Sequence, residues 1–221
     1  MEYSLHRELK TIYAGPKARC EVPLAGFRID AQRGRQLFEI QHASLAAIRR
    51  KVQRLLDDHH PVTVVKPLVA RKQILRVDGP GGEVLSRRFS PKRATLLDLF
   101  HELVYFVSVF PHARLTIEVP VVEIAERRFA TPGRRRRRWV KQYAVDDQQL
   151  IRILDTRRLR RSKDLLKLLP QPLPDEFDTA QLAAHLGIQR WVAQRIAYCL
   201  RHAGAVTDVG KRGRSRLYQA A

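Results

Sequence analysis

Hydrophobic positions in the first 65 residues follow a helical spacing at two places and an extended spacing at four. Leu5, Leu9 and Ile12 recur at helical intervals, and Gly15-Pro16 ends that pattern. The elements predicted up to this point are a helix at 3–13, strands at 19–24, 26–32 and 36–42, a helix from Ser44 to about Asp58, and a buried strand at 62–65. The predicted order is therefore α-β-β-β-α-β.

The rest of the chain changes character near residue 131. A strand at 70–77, a helix at 95–109 and a strand at 114–124 are predicted first. Five consecutive arginines, Arg134 to Arg138, and Trp139 follow, and this run either tracks a phosphate backbone or is a solvated linker. We predict a first domain at 1–130, a basic linker at 131–145 and a second domain at 146–221.

The segment that begins at Asp178 combines the signals of two helices and a hairpin. Asp178 is an N-cap residue before an apolar helix, Gly187 forms a turn, and a second helix is predicted at 188–202. A basic hairpin is predicted at 205–218. This pattern resembles a winged helix-turn-helix, in which the second helix enters the major groove of DNA and the hairpin contacts the backbone. The resemblance implies a mostly α winged-helix domain from residue 146 onward.

Arginine and glutamine side chains at the start of the second helix can bind base edges, and the basic hairpin can bind phosphates. The predicted nucleic-acid-binding residues are Gln189, Arg190, Gln194, Arg195, Lys211, Arg212, Arg214 and Arg216. The alternative is a winged helix that binds another protein.

Two acidic residues are predicted to face each other across a tight hairpin. Gly34-Arg35 fits a two-residue loop because glycine at its first position suits a type II′ turn. That register puts Asp30 directly opposite Glu39 and keeps most apolar pairs on the other face. Opposed carboxylates destabilise a sheet, but a divalent cation between them reverses the sign of the interaction.

The hairpin and its flanking elements resemble the PD-(D/E)XK nuclease superfamily, whose α-β-β-β-α-β core carries an Asp on one strand and Glu-x-Lys on the next. The resemblance implies that Asp30 and Glu39 bind Mg²⁺ or Mn²⁺. It also implies a catalytic site of Asp30, Glu39, Gln41 and a first-helix acid, for which Glu2 is preferred over Glu8. The ending Glu-x-Gln is similar to that of competence-protein CoiA-like members.

Gln41 stands where the family usually has lysine, and glutamine can orient water but cannot supply a positive charge. Lys51 on the next helix and Lys66 on the fourth strand are the candidates to replace it. The alternatives are a catalytically inactive nuclease fold and an ordinary hairpin in which Asp30 meets Arg28 or Arg35 instead of a metal.

The charge of the chain points to a polyanionic partner. Lys and Arg number 42 against 22 Asp and Glu, a formal net charge of +20, and such an excess attracts nucleic acid. Cys20 and Cys199 are far apart and no zinc-ligand spacing occurs, so neither a zinc finger nor a disulfide framework is supported. We expect no membrane span and a cytoplasmic location, because the sequence has neither a long apolar run nor a signal stretch.

These patterns predict an α/β restriction-endonuclease-like core followed by a mostly α winged-helix domain. The predicted function is a metal-dependent DNA nuclease with DNA as its partner, and a homodimer is an open alternative to a monomer. Two other functions stay open: a non-catalytic DNA-binding regulator with a degenerate nuclease fold, and a structural or interaction protein.

Overall fold

The computed structural model describes residues 3–131 and 143–221. The helices in these ranges are α1 (Ser4–Ala14), α2 (Leu45–Asp57), α3 (Leu99–Leu103), α4 (Thr179–Leu186) and α5 (Arg190–His202), with 3₁₀ segments at Leu96–Asp98 and Ser162–Leu168. The strands are β1 (Arg19–Leu24), β2 (Phe27–Arg33), β3 (Gln36–Ile40), β4 (Val62–Val65), β5 (Leu68–Val77), β6 (Val84–Phe89), β7 (Leu115–Ala130), β8 (Tyr143–Leu159), β9 (Glu176–Phe177), β10 (Val206–Arg212) and β11 (Ser215–Ala220).

The individual elements predicted through residue 65 are confirmed, from α1 to β4. Strands β1, β2 and β3 pair antiparallel in that order, and β4 adds parallel to β3. Successive residues of a strand point to opposite faces. On β3, Leu37 packs in the core with α2, and Ile40 packs with Leu5 and Leu9 of α1. The two helices therefore cover opposite faces of the sheet.

Strand β7 joins the two parts of the large sheet. Its first residues pair parallel with β4, and its later residues pair parallel with β5. Strand β8 pairs antiparallel with β7 from Ile117 to Ala130. Because β8 overlaps both of these parallel pairings, β4 and β5 lie along one side of β7 and β8 lies along the other.

The predicted fold class is wrong. The chain is a mixed α/β protein whose eight-stranded mixed sheet includes β8, so the C-terminal part is not a mostly α winged-helix domain. The large sheet extends to Leu159, past residue 146, where the second domain was predicted to begin. The error has a physical cause. Strand β8 leaves Ile151 and Leu154 unpaired in bulges, and an extra residue in a strand changes the two-residue apolar period into one that fits a helix.

The predicted helix at 95–109 is also shorter than expected. The chain forms a 3₁₀ turn and then α3, which ends at Leu103, and turns follow to residue 109. Val104, Val107 and Val109 lie in this stretch, and β-branched residues lower helix propensity.

The C-terminal segment packs against the body of the protein. Asp178 caps α4 and Gly187 adopts a left-handed conformation before α5, as predicted, while β9 pairs with β11 and β11 with β10. Ile196 and Leu200 of α5 belong to the same buried cluster as Phe100 of α3 and the residues under α2. Across the described ranges, each helix is too short or too polar to cross a membrane.

Phe100→Ala is expected to lower the free energy of unfolding by about 3–5 kcal/mol, because its ring is fully buried in the shared core. A urea titration followed by circular dichroism measures the change. Leu85→Ala is the control, since this β6 side chain is 60% exposed, and its effect should stay within about 0.5 kcal/mol. Equal losses in the two variants would contradict this core.

Candidate functional site

The β2–β3 hairpin follows the predicted register next to its turn and leaves it at Asp30. Gly34 has a φ of 58°, as the turn prediction requires, and pairing continues as far as Ala31 and Phe38. There the ladder ends. Asp30 Oδ2 instead accepts a hydrogen bond of 2.7 Å from the backbone N–H of Ile40. A side-chain carboxylate thus takes the place of a backbone acceptor.

Strand β1 is irregular at the same level. Glu21 has a φ of 55°, which is uncommon for a residue other than glycine, and the β1–β2 ladder pairs the residues on both sides of it but leaves out Glu21 and Asp30. Lys10 Nζ and Arg28 Nε each lie 2.5 Å from the Glu21 carboxylate. Asp30 is therefore not paired with either neighbouring strand. Its backbone N–H faces the Glu39 carboxylate and acts to lower the pKa of Glu39.

Glu39 is a buried carboxylate that is paired with a lysine of α2. The residue is 3% exposed, and Lys51 Nζ from α2 lies 2.6 Å from its Oε1. Lys51 Nζ also donates a hydrogen bond to the Arg28 carbonyl. The Lys51 ammonium therefore bridges the Glu39 carboxylate of β3 and the backbone of β2.

The environments of the two carboxyl groups push their pKa values apart. Burial raises the pKa of Glu39 to about 7, the negative charge of Asp30 adds to this effect, and Lys51 opposes it. Burial also acts to raise the pKa of Asp30, but contacts from the His6 side chain and the Ile40 N–H outweigh it, so the pKa of Asp30 is lowered. Such separation of two neighbouring acids is common at functional sites.

Two histidines border this acid pair. His6 Nε2 on α1 lies 3.6 Å from Asp30 Oδ2, and the His6 and His42 ring centroids are 5.7 Å apart. Burial lowers the pKa of His42 to about 4, and the positive charges of His6 and Lys66 act in the same direction. His42 is therefore neutral near pH 7. The acid pair lies between a histidine of α1 and a lysine of α2.

The other residues predicted for the catalytic site lie elsewhere. Gln41 Nε2 donates to the Ser44 carbonyl at 2.7 Å. Lys66 Nζ donates to two backbone carbonyls of the loop between β3 and α2. Glu8 accepts a backbone N–H from β8, and Glu2 is outside the described residues, as are Arg134 to Arg138. Of the two lysines left open by the sequence, Lys51 is the one that contacts the acid pair.

The acid pair offers two of the carboxylate ligands that a hard divalent cation uses. The described residues contain no cluster of three or more His, Cys, Asp or Glu side chains able to hold a metal ion. Magnesium usually needs only one or two protein carboxylates, because it keeps several waters of hydration. Asp30 and Glu39 supply two carboxylates beside one lysine ammonium.

A second feature is a basic groove between α5 and the β10–β11 hairpin, with a volume of about 410 Å³. We call it the C-terminal groove. Its lining is formed by arginine, tyrosine and small polar side chains: Thr179, Arg190, Gln194, Tyr198, Arg201, Arg214, Ser215, Arg216 and Tyr218. Four of the predicted nucleic-acid-binding residues, Arg190, Gln194, Arg214 and Arg216, therefore meet in one place.

Arg195 points away from this groove. Its Nη1 lies 2.9 Å from His101 Nδ1 of α3, and its guanidinium is 5.1 Å from the ring centroid of Trp191. Arg195 therefore joins α5 to the body of the protein. The remaining predicted residues are exposed at the start of α5 and on β10 but do not line the groove: Gln189, Lys211 and Arg212.

The sequence prediction of the sites omitted several side chains, among them Tyr198, Arg201 and His6. Tyr198 and Arg201 line the C-terminal groove, and they continue the spacing of Arg190 and Gln194 along one face of a helix, so this periodicity could have found them. His6 had no comparable signal, because its approach to Asp30 depends on how α1 packs across the sheet.

Comparison with known proteins gives a family and one distant relative. A family model described as "Domain of unknown function (DUF8091)" matches residues 3–160. A protein of Treponema pallidum (strain Nichols), described as uncharacterized, is 28% identical over 220 residues, which cover 99% of this chain and 85% of that protein. No solved structure matches the chain. The family match covers the acid pair and ends before the C-terminal groove.

Glu39→Gln is expected to gain stability relative to the native protein as pH rises from 4.5 to 8. The folded-state pKa of about 7 lies above the ordinary value of 4.5, so the stability associated with neutral Glu39 is present below pH 4.5 and is lost as pH rises through 7. The difference amounts to about 3 kcal/mol. Urea titrations with EDTA at several pH values measure it.

The control for this measurement is Glu83→Gln, which changes an exposed carboxyl group in the turn before β6. Its stability relative to the native protein should not follow the same pH course. A Glu39→Gln variant whose relative stability is the same at pH 4.5 and pH 8 would show that Glu39 ionises normally.

Proposed function

The chain belongs to the family described as a domain of unknown function (DUF8091), and we propose that it is a metal-dependent nuclease that hydrolyses phosphodiester bonds of DNA. The observation that carries this proposal is the pairing of buried Glu39 with half-buried Asp30 and with Lys51, whose Nζ lies 2.6 Å from Glu39. Two acids and one lysine match the chemistry of the PD-(D/E)XK motif, although the lysine comes from α2.

Asp30 and Glu39 would hold Mg²⁺ or Mn²⁺ through their carboxylate oxygens. When bound, such a cation activates water and stabilises negative charge on a phosphate. Lys51 supplies the positive charge that Gln41 cannot. Its hydrogen bond to the Arg28 carbonyl fixes the ammonium group beside Glu39, so the side chain can stay in place when a phosphate approaches.

The C-terminal groove is the proposed DNA-binding surface. Four arginines converge on it, and guanidinium groups bind phosphates through two parallel hydrogen bonds. Arg216 is also paired with Asp208 at 2.7 Å, so Arg190, Arg201 and Arg214 contribute most of the net charge of the groove. The cytoplasmic location and the homodimer stay predictions.

A second candidate function, a non-catalytic DNA-binding regulator, is favoured by Gln41. The hydrogen bond to Ser44 turns this side chain toward the start of α2. A protein with this role would bind DNA through the C-terminal groove and leave it intact.

Cleavage of plasmid DNA with Mg²⁺ or Mn²⁺ tests the first proposal. Asp30→Asn and Glu39→Gln are each expected to lower the rate by about 100-fold or more, because each removes one of the two charges that hold the cation. Lys51→Gln should lower it as well. Lys66→Gln is the control and should still cleave DNA once the rate is corrected for the fraction of folded protein, because Lys66 Nζ is held by backbone carbonyls and not by the acid pair. Binding without cleavage in the native protein would favour the regulator.

Salt-dependent binding tests the C-terminal groove separately from catalysis. Arg190→Gln and Arg214→Gln, each made in the Glu39→Gln chain, should weaken duplex binding. Each should also reduce the slope of log Kobs against log salt by about 1. Arg195→Gln is the matched control on the same helix, and its slope should be unchanged because the side chain contacts α3. Equal effects at the three positions would contradict the groove as the binding surface.

A further inference from the structure

A third feature is a groove between helix α2, the β1–β2 turn and the turn after α3. We call it the α2 groove. Its volume is about 600 Å³, and it combines a charged wall from α2 with an apolar wall from the two turns. The lining residues are Ala25, Phe27, Arg49, Arg50, Gln53, Arg54, Asp57, Ser108 and Val109.

Two of the three arginines in the α2 groove have no acidic partner. Arg54 Nε is paired with Asp58 at 3.2 Å, and Asp57 accepts a hydrogen bond of 2.9 Å from Gln53. Arg49 and Arg50 are exposed, and neither forms an ion pair with any residue in the described ranges. Two unpaired guanidinium groups beside an open groove favour an anionic ligand, and a phosphate matches their planar donor geometry.

In both walls, the residues that line the α2 groove are close in sequence to the acid pair or to its lysine. Arg50 precedes Lys51, whose Nζ lies beside Glu39. Phe27 is three residues before Asp30 on β2, a distance of about 10 Å along a strand. A phosphate bound by Arg49 and Arg50 would therefore lie within a few nucleotides of a bond cut at the acid pair.

We propose that the α2 groove binds backbone phosphates of the DNA strand that is cut, close to the cleavage site. This inference rests on the proposed nuclease function for the identity of the ligand. It adds a second contact region, separate from the C-terminal groove and formed by α2. The apolar side chains of Ala25 and Phe27 can contact sugars or bases, so we expect the groove to favour a nucleic-acid strand over free inorganic phosphate.

The test uses the full chain with Glu39→Gln, so that binding is measured without cleavage. Labelled 20-nucleotide single strands and 20-base-pair duplexes are titrated by fluorescence anisotropy over a range of salt. The double variant Arg49→Gln/Arg50→Gln is expected to reduce the slope of log Kobs against log salt by about 2, in proportion to the two lost phosphate contacts. Its circular dichroism should match that of the parent chain.

The control is Arg87→Gln/Arg88→Gln, which removes the same charge from exposed residues of β6. Its slope should equal that of the parent chain. An equal reduction in both double variants would overturn the proposal, because the effect would then reflect net charge alone. Displacement of DNA by millimolar inorganic phosphate or a nucleoside monophosphate, dependent on Arg49 and Arg50, would also overturn it and assign the groove to small phosphates.

The two proposals can fail separately. A lower slope in Arg49→Gln/Arg50→Gln with no cleavage by the native protein would show that the α2 groove binds DNA phosphates, but it would overturn the assignment of those phosphates to a cut strand. Metal-dependent cleavage that disappears in Glu39→Gln, with an unchanged slope in Arg49→Gln/Arg50→Gln, overturns the α2 groove and leaves the nuclease proposal standing.

Discussion

The structure depends on the pairing of β7 along both of its sides, which buries charged residues that the sheet must then neutralise. Glu118, Glu123 and Glu126 of β7 are each at most 5% exposed. Arginine or lysine side chains of β5, β7 and β8 contact every one of these carboxylates, for example Arg158 at 2.5 Å and Lys72 at 2.6 Å. A buried charge without a partner is costly, so β8 contributes arginines as well as backbone hydrogen bonds to the sheet.

Glu39 is the contrasting case, and the contrast is what marks the candidate site. Its carboxylate is as buried as those of β7, but one lysine faces it and a second acid lies beside it. The pKa of Glu126 is lowered by its partners despite burial, whereas the pKa of Glu39 is raised to about 7. The same sheet thus holds glutamates of β7 whose charge is balanced by basic partners, and Glu39, whose charge a single lysine balances only in part. The difference between these pKa values follows from where each glutamate lies in the sheet, and the residue type alone does not predict it.

Local signals in the sequence predicted local structure well. The glycine turn at Gly34 and the cap at Asp178 depend on neighbouring residues alone, and both lie where the sequence put them. Strand β8 was missed because its bulged residues, Ile151 and Leu154, imitate a helical period. The release of Asp30 from the ladder was missed because it depends on the backbone of Glu21, which belongs to another strand. Features that require two distant segments to meet have no signature in either segment.

The buried cluster that connects α5 through α3 to α2 has a geometric consequence. Cys199 of α5 contacts the Phe100 carbonyl of α3, and Glu102 of α3 accepts the Leu45 N–H at the start of α2 at 2.9 Å. Packed helices, and not a flexible linker, therefore fix the distance between the C-terminal groove and the acid pair. Under the proposed function, each cut would lie at a fixed distance from the stretch of duplex bound in the C-terminal groove. The rigidity of the core would set how much that distance varies.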